Sequence, residues 1–190
     1  AYIVLLAKSE VGYKNLMKLS STSFLEAGND TPHVKLETLQ QYSDELILLS
    51  GGPDGPIGKL LLAGKFSDSM DLSQEFKGIF GDRFYIEIQR HLSESGVYLD
   101  KEKFTEADFL KIAYEKDIPI VATNDVYFLE KDMFDAHDAL MCIADGDFVD
   151  QRKEKDRLTR NHHFASQDEM AEVFQDLPEA IENTIEIAKR

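Results

Sequence analysis

The sequence has no tryptophan, one cysteine, no apolar run of membrane-spanning length, and too few basic residues to balance its acids. A lone thiol, Cys142, closes no internal disulfide, which favours a reducing, cytoplasmic setting. A membrane helix needs about 20 consecutive apolar residues, and every apolar run here is far shorter. No basic-then-apolar leader is visible. Lysine and arginine number 21 against 36 acidic residues, a formal net charge of −15. Phosphate backbones are gripped by basic surfaces, so the chain by itself is a poor holder of DNA or RNA. Protein partners or small substrates suit it better, and plain solubility also explains the charge.

Familiar chemical signatures are missing too. The glycine-containing stretch "SGGPDGPIGK" (residues 50–59) does not have phosphate-loop spacing and reads as a turn into a helix. No Ser, His and Asp order reads as a catalytic triad. The five histidines are His33, His91, His137, His162 and His163. His91 follows one predicted strand and Asp125 follows another, at the carboxyl ends where parallel α/β proteins keep their chemistry. Two ligands fall short of the three protein ligands plus water of a catalytic zinc centre. His137, mid-helix beside Asp138, is expected to be packed or partly exposed. His162 and His163, adjacent in a charged loop, are expected on the surface. Cys142 reads as a small buried hydrophobe.

What is present suits one domain, or one domain with a short appendage. Of the 190 residues 43% are apolar, and 12 phenylalanines with 7 tyrosines can supply a core. Apolar runs predict strands at residues 2–8, 45–52, 83–90 and 118–123. In the third, Phe84, Ile86 and Ile88 alternate with Tyr85, Glu87 and Gln89. Helical spacing appears in residues 9–28 (Leu16, Leu19, Phe24) and in residues 35–43 (Leu36, Leu39, Tyr42). Residues 55–81 hold two helical stretches parted near Gly64, with Phe66, Met70, Phe76 and Phe80 as core candidates. Residues 91–104 read as a loop or insertion. Thr105 is placed to cap the next helix, residues 130–146 form another closed by Gly146, and the charged residues 147–166 are expected to be irregular and partly mobile. Ser166 and Glu169 form a capping box. Pro178 opens a last helix whose apolar spacing picks out Ile181, Ile185 and Ala188. Strands alternating with helices imply parallel pairing with right-handed crossovers. Four strands are few for a closed barrel. With Ala1 in place of Met and an apolar run under way by Ile3, a piece of a longer protein is expected.

The segments "IVLLAKSEVGYKNLMKLSSTSFLE", "ELILLSGG", "FGDRFYIEIQRH", "IPIVATNDVYFLE", "DAHDALMCI" and "LPEAIENTIEIAKR", in that order, closely resemble the N-terminal region of the bacterial DNA polymerase III alpha subunit family. The resembled region is the PHP (polymerase and histidinol phosphatase) domain. The resemblance implies an α/β fold, a partial, distorted (β/α) barrel of mostly parallel strands with a helical C-terminal segment. Residues 1–150 would be the C-terminal portion of the PHP domain, and residues 151–190 a charged connector and helices leading toward the polymerase palm. In many members the domain holds metal ions, zinc or manganese, that support phosphoester hydrolysis and 3′–5′ proofreading. In others the ligands have decayed, and the domain is a scaffold that docks the proofreading exonuclease subunit. His91 and Asp125 stand at family ligand positions. Tyr127 replaces the histidine of the family's late Asp-Val-His motif, and Tyr2 stands at another histidine position. A phenol of pKa about 10 is a poor zinc ligand at neutral pH. The resemblance therefore implies remnant, unoccupied metal positions, no catalytic residue and no cofactor in this stretch. Polymerase chemistry with Mg would belong to the palm, and DNA contact to the parent protein. The expected partners are the exonuclease subunit and the rest of the polymerase chain, with no membrane.

Overall fold

A computed structural model describes residues 1–93, 96–146, 148 and 158–190. Apolar runs, leucine-rich in the first two and β-branched or aromatic in the last two, form four strands, β1 (Val4–Ala7), β2 (Leu46–Leu49), β3 (Phe84–Gln89) and β4 (Ile120–Thr123), side by side in that order. The β2–β3 and β3–β4 pairs are parallel, as helical crossovers predict. The β1–β2 pair is antiparallel, against the expectation. The chain leaves β1, runs out along α1 (Glu10–Leu25) and returns through α2 (Leu36–Gln41), so that β2 starts beside the end of β1. The Lys8 N–H donates to the Glu45 carbonyl at 3.0 Å to close this junction. Gly12 permits the approach: a Cβ there would stand 2.2 Å from the Glu45 carbonyl oxygen.

Helices α3 (Pro56–Leu62), α4 (Phe66–Phe80) and α5 (Asp100–Lys116) pack on one face of the sheet. Leu46, Leu48, Phe84, Ile86, Ile88 and Ile120 meet Leu19, Ile57, Leu61, Phe76, Phe80 and Phe109 in the main core. Each such side chain contributes about 2 kcal/mol by leaving water, and Phe76 meets Phe84 edge-on at 5.6 Å. Phe66 and Met70 are partly buried against this core, as their spacing predicts. Phe24 does not join it and is 68% exposed. The other face of the sheet begins apolar, with Ile47, Leu49, Tyr85 and Val121, and turns polar toward the carboxyl ends, where Glu87 and Thr123 follow.

Three helices complete the described chain: α6 (Phe134–Asp145), α7 (Gln167–Val173) and α8 (Pro178–Lys189). Gly146 closes α6 in a left-handed conformation, and Ser166 with Glu169 caps α7 reciprocally, both as predicted. Pro178 opens α8, but Ala180, Ile181 and Ile187 face inward, while Ile185 and Ala188 are exposed. The reason is that α8 wraps the β4 edge and so serves both faces of the sheet. Helix α5 begins more than a turn before Thr105, which is no cap: its buried hydroxyl donates to the Lys101 carbonyl within the helix. The first turn is held by Glu102, which reaches back to His91. About a third of the expected insertion, residues 100–104, is therefore helix, and the remainder includes a bridge between Leu92 and Tyr98. Most of the charged stretch, residues 147 and 149–157, lies outside the described residues.

Candidate functional site

The carboxyl ends of β2, β3 and β4 converge on a buried carboxylate. Glu87 alternates with Tyr85 along β3 and so points to the second face of the sheet. The Gly51 N–H donates to its Oε2 at 2.9 Å, and the Thr123 hydroxyl donates to Oε1 at 2.6 Å. Burial pushes the Glu87 carboxyl above the usual range; these hydrogen bonds oppose the rise, and the nearby charge of Asp125 adds to it. Gly51 has φ of 81°, and a Cβ there would lie 2.2 Å from the Tyr2 carbonyl oxygen. The glycine loop is thus packed into the body of the protein, which removes the remaining case for a phosphate cradle.

Two residues beyond β3, His91 is fully buried and both of its ring nitrogens face protein oxygens. Nδ1 lies 2.6 Å from Glu102 Oε1, and Nε2 lies 2.5 Å from Asn124 Oδ1. The His91 backbone N–H donates to Glu102 Oε2 at 2.7 Å, so one carboxylate of α5 holds the residue twice. The neighbouring Arg90 locks the same segment from outside. Its guanidinium pairs with Glu106 of α5 and with Asp176, donates to the Val173 carbonyl, and lies over the Phe174 ring. Hydrogen bonding to Asp176 leads the causes that push its pKa above its already high value.

Asp125 follows β4 as predicted, and its N–H is 3.3 Å from His91 Nε2. The structure thus brings His91 and Asp125 to one place. Tyr127 stands beside Asp125, half exposed, its ring edge-on to His137 and to His162. Burial raises its phenol pKa, and the Asp125 charge raises it further. Tyr2 behaves alike: burial first, then Asp54 and Asp125, push it up to about 12. Both phenols are thereby poorer sources of a phenolate ligand than a free tyrosine.

His162 and His163 overturn the surface expectation, for both are buried. The cause is backbone pairing: the Tyr127 N–H donates to the His162 carbonyl, and the Phe164 N–H to the Phe128 carbonyl, each at 2.9 Å. This tucks His162 flat against His91, with ring centroids 4.0 Å apart. Burial holds His162 down at about 3, and the His91 ring adds to the effect. Its Nδ1 accepts from the Thr159 N–H at 3.0 Å. His137 is partly exposed against Tyr127 and Phe128, and Cys142 is buried, both as expected.

Glu87, Glu102, Asn124 and His162 were not foreseen as site residues. The alternation of β3 carried a signal for Glu87, a carboxylate in register with Tyr85. Nothing in the spacing linked Glu102 to His91. Among the described residues, no three His, Cys, Asp or Glu side chains converge as a metal ion requires. His91 is occupied on both nitrogens and Tyr127 offers a phenol.

Comparison with known families bears on this arrangement directly, because a PHP domain matches residues 1–91, from Ala1 to His91. Those residues are similar to the PHP domain family. Over nearly its whole length the chain is also similar to DNA polymerase III alpha subunits. It is 45% identical over 189 residues to that of Caulobacter vibrioides, covering 99% of this chain and 16% of the relative. It is 44% identical over 193 residues to that of Rickettsia felis, covering 100% of this chain and 15% of the relative. It is 35% identical over 188 residues to that of Haemophilus influenzae, covering 99% of this chain and 16% of the relative. The chain thus spans about one sixth of the length of these relatives. The PHP match contains Tyr2, Glu87 and His91, while Asn124, Asp125 and Tyr127 come from the following part.

Proposed function

We propose that this chain is a section of a replicative DNA polymerase alpha subunit and serves there as a scaffold. In this reading it supports the polymerase and docks the proofreading exonuclease subunit instead of hydrolysing phosphoesters. The observation that carries it is the commitment of His91. A ligand-position histidine clamped by Glu102 and Asn124 and stacked on an uncharged His162 works as a structural post. The mostly parallel sheet would be part of a distorted barrel, with residues 1–150 as the C-terminal portion of the PHP domain and residues 151–190 as a charged connector and helices leading toward the palm. Polymerase chemistry, its Mg and contact with DNA would belong to the remainder of the parent protein, in a bacterial cytoplasm. The test uses the full-length parent, analysed for elemental content and for capture of the proofreading subunit. The expected outcome is no stoichiometric zinc or manganese together with stable capture. Stoichiometric metal, with phosphoesterase activity lost on chelation, would reverse the assignment.

A further inference from the structure

Helix α6 is built the wrong way round for a surface helix. At 100° per residue, Ala136, Leu140, Ile143 and Ala144 fall within an arc of about 100°. All four are exposed, Leu140 at 60% and Ile143 at 78%, and Met133 just before the helix extends the same strip. No charged residue lies on that arc. The acids occupy the other sides: Asp138 is buried, and Asp135 pairs with Arg160. A free surface helix shows the reverse pattern, with its apolar stripe toward the core and its charges in water.

We infer that this outward face of α6 is the seat of another part of the same, longer polypeptide, which covers it with an uncharged apolar helix face. The inference rests on the reading of the chain as a section of a larger subunit. Three features select this occupant. The strip sets two large residues, Leu140 and Ile143, between two small ones, Ala136 and Ala144, so a second helix can approach over the alanines and interdigitate with the larger side chains. It offers no charge for a partner to match, so the complement is apolar. It is also short, about 16 Å over the three turns, and covers only a fraction of the roughly 800 Å² per side that a free-standing interface needs. A patch of that size does little for two separate copies but suffices within one chain, where association entropy is not lost a second time. The relatives, some six times longer, have ample chain to supply the cover.

The test places single cysteines in the full-length polypeptide, in a Cys142→Ala background, at Leu140 and at the exposed polar control Glu10. Maleimide labelling is read at each position by peptide mass spectrometry, over a protein concentration series and again in denaturant. The expected result is that Leu140→Cys labels at least about tenfold more slowly than Glu10→Cys at every concentration, as protection by native packing requires, and equally fast in denaturant. Equal native rates would overturn the inference. Protection that appears only as concentration rises would also overturn it, assigning the face to a second copy. Neither outcome depends on metal content or exonuclease capture, so failure here is distinct from failure of the scaffold reading.

Discussion

At the residue scale the stacked pair His91 and His162 makes a specific claim about acid stability. The folded protein keeps His162 uncharged down to about 3, against an ordinary value of 6.5. Below pH 6.5 the unfolded chain takes up a proton that the folded chain refuses, so stability falls with pH until about 3. Above pH 6.5 this loss is absent. Glu169 acts lower down: hydrogen bonding to Lys131, then to the Ser166 N–H, holds it at about 2, and its contribution is lost as pH falls from 4.5. Glu87 has the opposite sign, since its raised pKa means a cost that disappears toward 4.5. Between pH 6.5 and 4.5 the histidine can be isolated by comparison with His162→Gln, which keeps an acceptor for the Thr159 N–H. Thermal melts should show the wild-type melting temperature dropping across that interval more steeply than that of the variant. Parallel curves would mean that His162 does not stay neutral. Glu87 is common to both proteins and cancels in the difference.

At the element scale the junction of α1 with β2 depends on the missing side chain of Gly12. Gly12→Ala gains helix propensity of up to about 1 kcal/mol, but its Cβ would stand 2.2 Å from the Glu45 carbonyl oxygen, and that backbone has no free rotation to yield. The overpacking cost of roughly 1–3 kcal/mol should win. Gly78, near the end of α4, has nothing within 4 Å of an added Cβ. Gly78→Ala should therefore move the urea midpoint up while Gly12→Ala moves it down; the same sign for both would refute the contact. The elements differ in how plainly the sequence announces them. Strand alternation, the capping box at Ser166 and Pro178 are local signals and gave the right places. The antiparallel β1 and the early start of α5 depend on partners about 40 and 11 residues away, Lys8 on Glu45 and His91 on Glu102, and local pattern is blind to these. The site was legible to the same degree. His91 and Asp125 followed from strand ends, whereas His162 was hidden because main-chain pairing with Tyr127 buried a segment whose composition reads as surface.

At the scale of the whole molecule the sheet has two edges, and they are treated differently. Helix α8 lies against β4, and the Asn183 amide donates to the Ile120 carbonyl at 2.8 Å, on the side away from β3. That edge is covered, as natural sheets usually arrange. The β1 edge has no such cover among the described residues: Leu6 and Ala7 are exposed, and β1 pairs only with β2. An open, apolar edge invites pairing with another strand, while the net charge of −15 pushes copies of the chain apart. Salt screens the repulsion over a Debye length of about 8 Å at physiological ionic strength but leaves edge hydrogen bonds intact. The 190-residue chain should therefore gain mass with concentration in light scattering, and more so as salt is raised. Leu6→Lys, which places a charge on the β1 edge, should hold it monomeric under the same conditions. A monomeric wild type across the whole series would show that the β1 edge does not pair. Association that survives Leu6→Lys would move the contact away from the β1 edge.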